Sequence, residues 1–202
     1  MRRDAMTDAR IDALVEELRG WGRDELAAIV DRSIDGSPHE ADAALAALWA
    51  RVEDPVDAIG MASIWAPQRA LTRAACACVR MILDGAPAGV VRAIEVAEQW
   101  TRREVPIEAV WDANREAHAC AFDTGSVVAE AATEAAASAC ETPCDADEPI
   151  ASAGLAARWV LKVIARAEPA RPAPAELLAI IRAAIAAPTM AALMTAFAER
   201  TP

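Results

Sequence analysis

Residues 87–122, PAGVVRAIEVAEQWTRREVPIEAVWDANREAHACAF, constrain the fold more than any other stretch, because they read as two helices joined by a short proline turn. Pro87 and Pro106 each stand where a first helical residue belongs, with φ preset and no N–H to lose. In the first helix Arg92, Glu95, Gln99, Arg102 and Arg103 recur every three or four positions, while Val91, Ile94, Ala97 and Trp100 fall largely on the opposite side. That spacing predicts an amphipathic helix against a core. The second helix turns Ile107, Val110, Trp111, Asn114, Ala117, His118 and Ala121 towards one broad side, with Glu108, Asp112 and Arg115 away from it. His118, beside Asn114 and Trp111, reads as a hydrogen-bonded core histidine.

Composition extends this pattern to the whole chain. Alanine, the strongest helix former, fills 53 of 202 positions, and β-branched runs are scarce. The expected fold is all-α: an Ala-rich multi-helix bundle of about 8–10 helices in antiparallel hairpins, with no sheet. Alanine faces let helix axes approach closely but supply little bulk. With no tyrosine and two phenylalanines, the bulk falls to Trp21, Trp49, Trp65, Trp100, Trp111 and Trp159, each able to bury about 150–250 Å².

In chain order, a first helix is expected from its N-cap Thr7 to Arg19, with Ile11, Leu14, Val15 and Leu18 inward. A short second helix over 24–33 places Leu26, Ile29 and Val30 inward. Ser37 caps a third, which opens on Pro38, runs to about Val52 and buries Leu45, Leu48 and Trp49. Pro55 and Gly60 mark a seam. Residues 67–83 form a long helix with Leu71, Ala74, Ala75, Cys78 and Ile82 inside and Arg69, Arg73 and Arg80 outside. An alanine-valine helix over 127–140 carries Glu130 and Glu134 four apart. An acidic loop over 142–149 follows, then a helix over 150–167 with Leu155, Trp159, Val160, Val163 and Ile164. Three prolines within 168–174 make a stiff connection. The tail is a helix pair over about 175–187 and 188–199. The expected organisation is an acidic N-terminal helical segment 1–60, a central helical domain 61–168, and a Pro-rich connection with a C-terminal helix pair, 169–202.

The chemistry of the side chains excludes more than it suggests. A net charge of −11 argues against nucleic acid, which needs a basic face. The longest uncharged stretch, residues 183–198, is Ala-rich, interrupted by Pro188 and short of the roughly 20 strongly apolar residues of a membrane span. The N-terminus lacks the apolar run of a secretory signal, so the expected location is the cytoplasm, without membrane association. The possible metal ligands Cys76, Cys78, His118, Cys120, Cys140 and Cys144 show no C-x₂-C pairing. Cys76 and Cys78 diverge on a helix and read as reduced buried thiols. The Glu-x-x-His repeats of a di-iron bundle are missing, as is a Gly-rich phosphate loop. No metal, cofactor or enzymatic activity is expected. What remains is surface: Glu141, Asp145, Asp147 and Glu148, around a proline-bounded loop, read either as a solvated acidic surface that keeps an Ala-rich chain soluble or as an acidic edge that a basic protein partner would meet with favourable encounter electrostatics.

RALTRAACACVRMIL, then RAIEVAEQWTRREVPIEAVWDANREAHACA with VVAEAATEAAASA after it, and AGLAARWVLKVIA resemble the successive helices of the immunity protein family of bacterial polymorphic toxin systems, the immunity-5-like all-α domain. The resemblance covers residues 69–165. Where members of that family often carry histidines, between the last two helices, this chain reads CETPCDADEPIAS, with none. A family activity resting on them is not implied here. What the resemblance implies is a small cytosolic protein that binds and neutralises a toxin, here through a surface such as the acidic loop against a basic toxin, or serves a related conflict system. Two other readings stand beside it. In one the chain is an adaptor or assembly subunit, its terminal helices docking to other chains or to further copies of itself. In the other it is a cryptic metal-binding or enzymatic protein using His118 and the cysteines.

Overall fold

The computed structural model describes residues 5–33, 37–140, 152–166 and 172–200. These form eleven helices: α1 Ala5–Gly20, α2 Asp24–Arg32, α3 Pro38–Arg51, α4 Pro55–Ala62, α5 Gln68–Arg80, α6 Ala88–Thr101, α7 Ile107–Thr124, α8 Val127–Cys140, α9 Ser152–Ile164, α10 Pro174–Ala184 and α11 Met190–Arg200. No strand occurs among the described residues, so the fold is the all-α multi-helix bundle expected, with one helix more than the upper end of the expected range.

The helices gather into two compact units, Met1–Val52 with Ala187–Pro202, and Glu53–Ala186. In the first, α1 packs on α2, α2 on α3, and α11 on α1 and α3. The expected inward residues of α1, Ile11, Leu14, Val15 and Leu18, are buried, as are Leu26, Ile29, Val30, Leu45 and Trp49. Leu48 is only half-buried. α1 starts two residues before Thr7, because Ala5 and Met6 are strong helix formers and continue the turn. α3 has the expected start: Pro38 occupies the first helical position and the Ser37 N–H donates to the Glu40 carboxylate at 3.3 Å. α11 is capped from α3, the Asp42 carboxylate accepting the Met190 N–H at 2.7 Å.

The second unit is built around α5. Leu71, Thr72, Ala74, Ala75, Cys76, Cys78 and Val79 are all buried, against α6, α8, α9 and α10. Arg73 and Arg80 alone within α5 are exposed. Arg80 grips Glu98 of α6 through Nε and Nη2, at 3.0 and 2.8 Å. Arg69 is half-buried rather than outward: its guanidinium lies 4.2 Å from the Trp100 ring centroid and donates to the Trp100 carbonyl near the end of α6.

The expected seam at Pro55–Gly60 lies within a helix, just after the boundary between the two units at Val52 and Glu53. Pro55 is its first residue, Asp54 accepts the Asp57 N–H at 2.9 Å, and Ala58, Ile59, Gly60, Met61 and Ala62 are buried. Pro87 and Pro106 are the N-caps of α6 and α7, one step before the first helical residue. The turn between these two helices closes with Arg103 in the left-handed region at φ 65°. The Glu104 N–H donates to the Gln99 carbonyl at 3.0 Å and the Arg103 N–H to the Trp100 carbonyl at 2.9 Å. That paired closure normally employs glycine, and Arg102 bridging to Glu104 at 2.8 and 2.9 Å braces it here. The tail helices separate: α10 packs on α4 and α5 in the second unit, with Leu177, Leu178, Ile181 and Ile185 buried, whereas α11 belongs to the first.

Candidate interaction face

Sequence reasoning placed the partner-binding edge at Glu141, Asp145, Asp147 and Glu148; all four lie outside the described residues. The site argued from the structure is formed instead by α7, α8 and α9.

α7 buries Val110, Ala113 and Ala117. These are small side chains, and the helix lies close to its neighbours: a Cβ added to Gly89 of α6 would meet the Cys120 sulfur at 3.7 Å and the Glu116 Cβ at 3.8 Å. A narrow alanine seam buries a narrow arc of the helix. Residues one position away from that arc therefore turn out. Trp111 is 46% exposed, and His118 is exposed too. This corrects the expectation of a core histidine and of a buried tryptophan. Asn114 stays half-buried, its Oδ1 enclosed without a hydrogen-bond partner among the described residues. Phe122 is 87% exposed. Trp111, His118 and Phe122 are spaced i, i+7 and i+11, so they form one row along the outer side of α7.

α8 is the alanine helix. Ala129, Ala131, Ala132, Ala135 and Ala136 are buried against α5, α6, α7 and α9, leaving Glu130 and Glu134 on the half-buried outer side. Glu130 accepts from Arg166, just past α9, at 2.7 Å. Glu134 feels the charge of His118 on α7. The carboxyl of Glu134 is held above the usual carboxylate range, first by burial and then by the like charge of Glu130, with His118 opposing. No hydrogen bond or ion pair reaches Glu134 among the described residues. On α9, Trp159 is 45% exposed, with the Lys162 ammonium 5.5 Å from its ring centroid.

The raised carboxyl makes a testable statement about stability. The folded chain holds the Glu134 proton more tightly than the unfolded chain does, so the carboxylate costs stability above its folded pKa and nothing below its unfolded one. Glu134→Gln should therefore stabilise the protein at pH 7, by about 0.2–0.5 kcal/mol from the lost i,i+4 repulsion. The gain should fade as pH falls through the carboxylate range. Urea titrations at pH 4 and pH 7 with an equal difference between variant and parent would refute this.

The other candidate chemistry disperses. Cys76 and Cys78 are buried in α5, Cys120 is half-buried on α7, and Cys144 and the Cys140 side chain lie outside what is described. Burial pushes both α5 thiols up, Cys78 to about 12. Iodoacetamide at pH 8 should accordingly leave Cys76 and Cys78 unmodified until denaturant is added, as peptide mass mapping would read out. Among the described residues no group of three or more His, Cys, Asp or Glu is arranged to hold a metal ion, and no helix is long and apolar enough to cross a membrane. A cavity of about 270 Å³ in the first unit is lined by Ile29, Arg32, Ser33, Ser37, Glu40, Ala41 and Ala44. Of its polar groups, Ser33 Oγ donates to the Val30 carbonyl at 2.5 Å and the Ser37 N–H to Glu40.

Comparison with family models, curated proteins and solved structures gave no match.

Nothing in the sequence pattern alone marked the outer row of α7. Trp111, His118 and Phe122 at 7- and 11-residue spacing are legible in retrospect, but only the phase of the alanine seam says that they point outward.

Proposed function

We propose that this chain is a non-enzymatic protein-binding protein whose partner is a toxin or another protein of a bacterial conflict system. The observation that carries the binding reading is the use of aromatics. The chain has six tryptophans and two phenylalanines, and Trp111, Trp159 and Phe122 are spent on the surface of α7 and α9. Large exposed aromatics lose little conformational entropy on contact and dominate binding energy where they occur. The net charge of −11 favours a basic partner through faster encounter. The partner class rests on the helix-by-helix sequence resemblance over residues 69–165.

The test is rescue. The chain is co-expressed with the toxin-sized product of a neighbouring open reading frame, and survival of the producing cells is scored. Protection by the parent chain, with a stoichiometric complex on sizing columns, is the expected result. Growth arrest unaffected by the chain, with no complex formed, would overturn the reading.

A further inference from the structure

We infer that the outer side of α7, α8 and α9 docks a helical segment of the partner and receives one of its arginine or lysine side chains at Glu134, between the exposed aromatics of α7 and α9. This deepens the protein-binding reading and rests on it.

The geometry follows from the two contacts that frame α8. Arg166, at the end of α9, meets Glu130 near the start of α8, so α8 and α9 run antiparallel. α7 packs along α8 as well, and the charge of His118 acts on Glu134. The outer row of α8 thus runs between α7 and α9. At 1.5 Å per residue, Trp111 stands about 10 Å to one side of His118 along α7, and Phe122 about 6 Å to the other. Trp159 stands about 10 Å from Arg166 along α9 and Glu134 about 6 Å from Glu130 along α8, so the two lie within about one helical turn of each other. The arrangement is a half-buried carboxylate flanked by aromatic ridges on two sides.

Charge complementarity selects the occupant. The charged groups on this side are mostly matched. Arg115 pairs with Asp112, and Arg166 with Glu130 at 2.7 Å. Lys162 rests on the Trp159 ring. Glu134 is left with the imidazole of His118 and no ion pair among the described residues, although burial already makes its charge costly. A guanidinium or ammonium brought in by a partner would relieve that cost, and its aliphatic stem would lie on the rings beside it. A helix is the matching shape. An aromatic row at 7- and 11-residue spacing along a straight helix presents the contact a second helix makes with its i, i+4 and i+7 positions.

The test uses the full chain and a displayed library of 18-residue helical peptides with a randomised stripe. Selected peptides are synthesised and titrated by fluorescence anisotropy against the parent, Glu134→Gln, Trp111→Ala, Phe122→Ala and the remote control Asp12→Asn, each checked for parental helicity. The expected peptides carry an arginine or lysine within an apolar stripe. Replacing it with citrulline or norleucine, or changing Glu134→Gln, should each weaken binding about tenfold or more, while the two changes together should weaken it little further. Trp111→Ala or Phe122→Ala should cost about tenfold as well, and Asp12→Asn nothing. The inference is overturned if no peptide is enriched, if the peptides bind Glu134→Gln as tightly as the parent, or if the two losses simply add. The rescue assay keeps the two claims apart. Parent and Glu134→Gln protecting equally would remove this docking site and leave the binding protein, whereas loss of protection by the parent removes the binding protein itself.

Discussion

Leu71→Ala should lower the unfolding free energy of the Glu53–Ala186 unit by about 2–5 kcal/mol. Leu71 is fully buried on α5, the helix that meets α6, α8, α9 and α10. Removing its isopropyl group loses the transfer free energy of three carbons and leaves a cavity. The size of the second contribution depends on whether the walls can move in. Here they cannot move far, because α5 is enclosed on most of its circumference and tied laterally by the Arg80–Glu98 bridge. The result should therefore lie in the upper part of that range. Urea unfolding followed by far-ultraviolet circular dichroism would read it as a lower midpoint at unchanged slope. A loss below about 1 kcal/mol would mean that the unit is not centred on α5.

Ala132→Leu should destabilise the same unit by about 1–3 kcal/mol, for the opposite reason. Ala132 is completely buried in α8, along with Ala129, Ala131, Ala135 and Ala136. Four helices pack against α8, and Thr133 apart they do so where it offers only alanine methyl groups. Three added carbons have no void to enter, so they must push a neighbouring helix outward or adopt a strained rotamer. The same change at Ala119, exposed on α7, should stay within about 0.5 kcal/mol of the parent. If both substitutions proved equally harmless, close approach at α8 would not be what holds this unit together. Together with Leu71→Ala the pair separates two modes of packing, a large side chain filling space and small side chains permitting proximity.

The fold class was legible because it rests on composition and punctuation. Ser37-Pro38 and Pro174 start helices at or within one residue of the positions expected, since proline at a first helical position acts locally. α1, α2 and α10 present the expected inner faces, since leucine, isoleucine and valine contrast sharply with their polar neighbours. α4 was missed because Ala58, Ile59, Gly60, Met61 and Ala62 are all buried. A segment buried all round has no polar side to set a period, and Pro55 and Gly60 then look like a break. The rotation of α7 was misjudged for a related reason. With alanine at 109, 113, 117, 119 and 121, the hydrophobic contrast around the helix is weak, and the large side chains of Trp111 and His118 dominate the apparent face. Close packing selected the alanine side. The separation of α10 from α11 depends on contacts with helices far away in the chain, which no local pattern encodes.

That separation also orders the events of synthesis. The first unit contains residues from both ends of the sequence, with α11 seated on α1 and α3. At about 5–20 residues per second, α1 to α3 leave the ribosome on the order of ten seconds before α11 is translated. During that interval the faces of α1 and α3 that meet α11 have no occupant, while the helices of the second unit are being made. A premature stop after α10 would spare the second unit and leave α1 to α3 as the segment for chaperones and proteases to find.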